Sequence, residues 1–295
     1  MENNAWTGKK PLGEVEKTVN VLDSLFWSVQ PPLGLIAGDY YREENWFAPH
    51  YPADPGYHGI LEVVQAKGRL VHVEFNEYTS PAYYKRLYQN ISKRRSDYCF
   101  FQATKERTAQ TGKVLDNGFS DMEQQMLEQN RLTGHFDLTT GASNSVKRSL
   151  LPLAAKIDVQ LTAPSGKYYY GYAEALPGGL TARLQVVIGA KGIERCAYDE
   201  IFADQAEDIA EDRLKPYYRQ SKYHSIQYES PYPDGFNNLF DLLEQRVLLT
   251  QCLTDVTGLP WTVDTDARKH NPEWDNYLRL AAMVEDAARK DGRLS

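Results

Sequence analysis

One pattern is written twice along this chain, and a duplicated pattern limits the fold more than any single motif, because each copy must bury its apolar face with the same kinds of element. "GDYY" at Gly38 matches "GKYY" at Gly166, and "AKGRLVHVEFNE" from Ala66 matches "AKGIERCAYDE" from Ala190. "RLYQNISKRRS", ending at Ser96, matches "KPYYRQSKYHS", ending at Ser225. "NGF" at Asn117 matches "DGF" at Asp234, "MLEQ" at Met126 matches "LLEQ" at Leu242, and "DLTTG" finally meets "TDVTG". The order never changes and the offsets stay between 116 and 129 residues, as small loop deletions allow. The expectation is two homologous halves.

Within each half the pattern runs from strands to helices. "GILEVVQAKGRLVHVEFNEY" alternates about a turn at Lys67 and Gly68, and "LTARLQVVIGAKGIERCAYDEI" repeats that hairpin about Lys191 and Gly192, with β-branched and aromatic residues on both sides. Helical periodicity follows in "SDMEQQMLEQNRL" after Phe119, in "SVKRSLLPLAAKI", and in "FNNLFDLLEQRVLLTQCL" of the second half. Strands grouped before helices predict an α+β fold of two tandem domains, each an antiparallel sheet with flanking helices, rather than a doubly wound parallel sheet. The polar stretch "DVQLTAPSGK" marks the boundary, giving domains at 33–160 and 161–295. Ahead of them, Val15, Val19, Leu22 and Phe26 predict a short helix in segment 1–32 that ends at Pro31 and Pro32, a cap on the first domain or a partner-docking helix. A closing helix is expected from Asn271 to Ala288, with Pro272 in its first turn.

Composition removes several function classes. A net charge of -7 and a pI near 5.5 oppose a partner bound through its phosphate backbone, so nucleic acid is not expected. Three dispersed cysteines suit reduced thiols, and six histidines without helix-spaced pairs predict no metal site. No stretch is apolar over membrane length and the opening residues lack a secretory pattern, so the expected location is cytoplasmic, without a membrane span. The acidic runs "DEIFADQAEDIAED" and "EVEK" read as the solvated face of a surface helix rather than a general acid and base. No nucleophile-elbow, P-loop or dinucleotide fingerprint is present.

Chemistry concentrates in "DLTTGASNSV", residues 137–146, at the mouth of a predicted helix. Gly141 permits a tight turn, Ala142 keeps the approach open, and Ser143 or Ser145 can cap the helix N–H groups. Such a terminus favours phosphate through its unpaired N–H groups and its dipole. Capping alone would account for one serine only.

The stretch "DLTTGAS", preceded by an antiparallel hairpin and followed by a helix, resembles the FMN-binding domain family. That family includes the covalent-flavin subunits of sodium-pumping quinone reductases and related bacterial electron-transfer proteins. The resemblance covers one half well and the other as a diverged copy. It implies an electron carrier rather than a stand-alone catalyst, with FMN joined as a phosphoester to Ser143 by a flavin transferase that takes FMN from FAD. Asp137 then stands at the motif's acid, Thr140 and Gly141 at its hydroxyl and turn, and Ser145 at its trailing hydroxyl, with Thr139 and Ala142 among the cofactor-binding residues. Lys147 or Arg148 would stabilise the phosphate. Redox donor and acceptor proteins are implied but not named. The second half reads "DVTGLP": Asp255, Thr257 and Gly258 remain, but Leu259 and Pro260 stand where Ala142 and Ser143 do, so that half offers no acceptor hydroxyl. Its "KPYYRQSKYHSIQY" could instead meet a flavin, with Tyr217, Tyr218, Tyr223 and Tyr228 stacking and Arg219, Lys222 and His224 binding phosphate or carbonyl groups. Two alternatives stay open: a module binding FMN or another planar ligand without a covalent bond, and a cofactor-free interaction protein of the same fold.

Overall fold

A computed structural model describes residues 28–103, 115–137, 143–263 and 270–294. The expected leading helix and the acidic run "EVEK" lie outside the described residues. Six strands form one sheet in the order β3-β2-β1-β4-β5-β6. They are β1 (Gly34–Phe47), β2 (Tyr57–Ala66), β3 (Arg69–Tyr78), β4 (Tyr168–Leu176), β5 (Leu180–Gly189) and β6 (Gly192–Phe202). The described pairings β1–β4, β2–β3, β4–β5 and β5–β6 are antiparallel. The fold is therefore mixed α+β around an antiparallel sheet. No helix among the described residues is long and apolar enough to cross a membrane.

The chain divides into two compact units. The first contains Tyr41–Pro164 and takes in His224–Gln227; the second contains Ser165–Tyr223 and Tyr228–Ser295 and takes in Gln30–Tyr40. Both predicted hairpins form. Lys67 (φ 51°) and Gly68 (φ 75°) both adopt left-handed conformations, which fit a two-residue turn between twisted strands. The register slips at Val64/Gln65 in the first hairpin and at Val187/Ile188 in the second, so the same irregularity recurs in both.

Helices cover one face of each three-strand group. In the first unit these are the short α1 (Tyr98–Ala103), α2 (Leu115–Gln129) and α3. The last is a continuous run in which an α-turn at Ser143–Ser145 passes through a π-helical stretch, Val146–Leu150, into Leu151–Asp158. Phe119, Met122 and Met126 of α2 join Val146, Leu150, Leu153 and Ile157 of α3 over Leu61, Val63, Val73 and Phe75 of the sheet. In the second unit α4 (Phe236–Thr250) and α5 (Glu273–Lys290) do the same over Tyr170, Leu184, Val186 and Tyr198. Each leading helix ends in a left-handed residue whose amide grips the hairpin. Asn130 (φ 52°) accepts from Leu70 N at 2.7 Å, and Gln251 (φ 58°) accepts from Ile193 N at 2.6 Å.

One expectation is corrected. The acidic run after Tyr198 is not a surface helix: its first residues complete β6, paired with β5, and Ala206–Asp208 make only a single 3-10 turn. Strand pairing wins there because Glu200, 1 % exposed, is drawn into the interior. The expected helical run of "SVKRSLLPLAAKI" forms, with a π-helical stretch inside it. Pro152 has no N–H to give the carbonyl four residues back, and Arg148 O instead accepts from Asn45 Nδ2 at 3.1 Å.

That substitution of partners ties α3 to β1. Ser149 Oγ donates to Asn45 Oδ1 (2.6 Å), Gln160 reaches Glu43 (2.8 Å), and Tyr41 donates to Ala163 O (2.7 Å), so α3 runs antiparallel to β1. Gly59 of β2 lies beneath the contact, where a Cβ would run into the Ser149 side chain. Gly59→Ala is therefore expected to lower unfolding free energy by about 1–3 kcal/mol through overpacking, partly recovered by Ser149→Ala, as urea denaturation would report.

Candidate functional site

Asp137 is exposed, but its backbone is anchored: its N–H donates to Gln125 Oε1 at 2.8 Å and its carbonyl accepts from Gln125 Nε2 at 2.9 Å. Thr139, Thr140, Gly141 and Ala142 lie outside the described residues. Ser143 is the first described residue of α3, Ser145 is buried, and Lys147 and Arg148 are exposed in the following turn. Because α3 opposes β1, its start points to the end of the sheet where β1 finishes and β2 begins. At about 1.5 Å per residue, Ser143 stands roughly 9 Å along the axis beyond Ser149. By strand alternation Phe47, Tyr57 and Glu77 face that same helix-bearing side.

A buried polar cluster occupies this end. Lys93 Nζ pairs with Glu77 Oε1, and the Lys93 backbone N–H donates to Glu77 O at 2.8 Å. The ammonium also lies 4.0 Å from the Tyr57 ring centroid and 5.4 Å from that of Tyr98, as a cation over aromatic faces. Burial pushes the Tyr57 phenol up to about 12, helped by the Glu77 and Asp54 charges, and it pushes Tyr98 and Tyr83 higher still. Around them, Phe47 contacts Tyr57 (5.8 Å between centroids), Tyr57 contacts Tyr83 (6.3 Å), and Tyr83 meets Tyr84 (4.7 Å), whose ring is largely exposed. Asp54 orders the loop before Tyr57, accepting from His50 N (2.8 Å), Gly56 N (2.9 Å) and Ser80 Oγ (2.5 Å).

The second unit carries the counterpart. Lys222 Nζ lies 2.6 Å from Glu200 Oε2 and 2.7 Å from Glu273 Oε1, the latter from the first turn of α5. Glu200 Oε1 accepts from Tyr198 Oη (2.7 Å) and Asn276 Nδ2 (3.0 Å), while Glu273 Oε2 accepts from Asn271 Nδ2 (3.0 Å). Burial alone would lower the Lys222 ammonium, but the two carboxylates outweigh it and hold its pKa above the ordinary value. Burial raises Glu273, with Lys222 opposing.

The residues expected to meet a flavin in the second half are largely committed elsewhere. Lys222 is enclosed by two carboxylates, and Tyr223 donates to Asp241 Oδ1 at 2.5 Å. Tyr218 and Arg219 are buried, with Arg219 Nε donating to Asp204 O at 2.9 Å. Tyr217 and Tyr228 pack around Phe202, with ring centroids each 5.7 Å from it. His224 belongs to the segment grouped with the first unit. Leu259 and Pro260 lie in a turn region, Pro260 O accepts from Trp274 Nε1 at 2.9 Å, and α5 spans Glu273–Lys290. Asp255 is held by Arg246 at 2.6 Å.

Sequence reasoning missed Lys93, Glu77, Glu200, Glu273 and Asp97 as site residues. The signal was present in the repeat itself, where "SK" recurs at Ser92 and Ser221 and an acid closes both "NE" and "DE". Asp97 binds the His224–Gln227 segment to the first unit, accepting from Ile226 N (2.5 Å) and Ser225 Oγ (3.2 Å).

Removing one partner of the enclosed cluster should be costly. Lys222→Met is expected to destabilise by about 3–5 kcal/mol by stranding two buried carboxylates. Lys290→Met, at an exposed pair with Asp286, should change stability by less than about 1 kcal/mol in the same denaturation assay. Asp97 supplies a pH dependence. Burial raises its carboxyl from the ordinary 3.8 to about 6, with the Ile226 and Ser225 hydrogen bonds opposing. The folded chain thus holds this proton more tightly than the unfolded one, and stability falls as pH rises from about 4 to about 6. Asp97→Asn should flatten that part of the pH–stability curve, and an unchanged slope would remove Asp97 as its source.

No family model matches the chain, and neither a curated protein nor a solved structure does.

Proposed function

We propose that the chain is an electron-transfer flavoprotein of two tandem FMN-binding-like domains, with one FMN attached through a phosphoester to Ser143. The observation that carries this reading is the place of Ser143. It lies in the first described turn of α3, and Tyr57 and Lys93 gather aromatic surface and positive charge on the helix-bearing face of the same unit. Both chemistries suit FMN, a planar ring system on a phosphorylated chain. The recurrence of hairpin, register slip, helix cap and buried lysine in both units supports the tandem reading.

Attachment is a balanced transfer. Ser143 Oγ attacks the FMN-side phosphorus of FAD in a flavin transferase, the pyrophosphate P–O bond breaks, AMP leaves, and the serine proton passes to base. FMN, when bound, supplies one- and two-electron transfer. The chain's part is to hold the phosphate at the start of α3, with Lys147 and Arg148 near it on the exposed side. The second domain offers no equivalent hydroxyl, since Leu259 and Pro260 stand in its "DVTGLP". Electron donor and acceptor proteins complete the proposed role.

Protein co-expressed with a flavin transferase should gain the mass of FMN less one water, and Ser143→Ala should remove the gain. Flavin released by acid precipitation from an unmodified chain would instead indicate non-covalent binding, and a gain that persists in Ser143→Ala would relocate the attachment.

A further inference from the structure

Lys222, Glu200 and Glu273 do more than neutralise one another: they bring an amine and two carboxyl groups together in a place almost without water. Their side chains are 9 %, 1 % and 6 % exposed, and the Tyr228 and Phe236 ring centroids stand 5.7 and 5.6 Å from Lys222 Nζ. Tyr198 and Asn276 hold Glu200 by its Oε1, so its Oε2 meets the ammonium at 2.6 Å. Glu273 is held by its far oxygen. Its Oε2 accepts from the buried Asn271 Nδ2, and its Oε1 lies 2.7 Å from Lys222 Nζ, with Cδ one bond behind. The proposed flavin attachment uses none of these groups.

We propose that Lys222 and Glu273 condense to an intramolecular amide, a covalent bridge from the segment after β6 to the first turn of α5, with Glu200 as the proton carrier. Burial opposes the Lys222 ammonium but the two carboxylates keep it as the resting form, and burial raises Glu273 toward its neutral acid. With Glu273 protonated, one proton moves from Lys222 to Glu200 Oε2 and the amine attacks Glu273 Cδ. The N–C bond forms, and negative charge gathers on Glu273 Oε2 opposite Asn271 Nδ2. The Cδ–Oε1 bond then breaks as Glu200 gives its proton to the leaving hydroxyl. Water departs, and the surplus proton on nitrogen passes back to Glu200. The step is a condensation without net oxidation or reduction. Held neighbours supply an effective concentration that a free amine and acid lack, and a fixed donor waits where charge develops. The product also replaces a buried ion pair, costly to keep out of water, by a neutral amide. Because the two residues lie 51 apart in the chain, the bridge closes a long loop in the unfolded state as well.

The full chain, expressed without a flavin transferase, is weighed intact under denaturing conditions. A mass lower than that of the sequence by one water is expected, together with a tryptic product in which the peptides carrying Lys222 and Glu273 are joined. Lys222→Arg keeps a cation in the cluster but its guanidinium is a poor nucleophile, so this variant should show the full mass and a lower Tm. Glu200→Gln should cut the bridged fraction of freshly purified chain by about ten-fold or more, as loss of a positioned acid–base group does. A succinimide at Asp234-Gly235 or Asp291-Gly292 would remove the same water, but it would persist in Lys222→Arg and leave the two peptides separate. The peptide map of the wild-type chain decides the matter whether or not either variant folds. A wild-type chain of full mass, a loss that persists in Lys222→Arg, a bridge mapped to Glu200 rather than Glu273, or undiminished bridging in Glu200→Gln would each overturn the proposal.

Discussion

A lysine ammonium pressed between a glutamate on the third strand and a set of aromatic rings organises each unit, and most of the local architecture can be traced to the demands of that buried charge. Taking an ion pair out of water costs several kcal/mol per ion unless its remaining hydrogen-bonding capacity is filled. The segment carrying the lysine is accordingly bonded back to the strand, by Lys93 N to Glu77 O and by Lys222 N to Glu200 O, both within 2.9 Å. Aromatic faces take up part of what remains. The high count of tyrosines thus has a structural use, since a phenol ring can shield a cation on its face and satisfy a carboxylate at its hydroxyl.

The two units share this arrangement but surround it with different partners. A second pair follows the same rule: Arg94 makes a bidentate contact with Glu123 of α2, at 2.5 and 2.9 Å, where Tyr223 meets Asp241 of α4 through one hydroxyl. The second unit has moved toward internal closure, with Asn271, Asn276 and Glu273 all turned onto its cluster. Among the described residues, Glu77 Oε2 of the first unit has no donor.

Much of the fold could be read from residue order. The hairpins at Lys67-Gly68 and Lys191-Gly192 followed from alternation and turn chemistry, and α4 and α5 from their apolar periodicity. α2 is already helical at Leu115, ahead of the expected start after Phe119, because periodicity marks the buried stripe and not the whole helix. The acidic stretch after Tyr198 was misread for a related reason. Charge density resembles a solvated helix until pairing with β5 shows that Asp199 and Glu200 point into polar interiors. The π-helical stretch before Pro152 is a similar case, since proline announces a broken bond but not which side chain will take the orphaned carbonyl.

The sequence alone determined the repeat, the antiparallel hairpins, the helical periodicities and the presence of a hydroxyl-rich helix entry, because these depend on neighbours along the chain and on periods of two or 3.6 residues. Only the tertiary structure decided that Lys93 meets Glu77, that Lys222 is enclosed by Glu200 and Glu273, and that Asn45 captures Arg148 O. Those pairings join residues far apart in the chain. Their partners are chosen by strand register and helix packing, which no local pattern encodes.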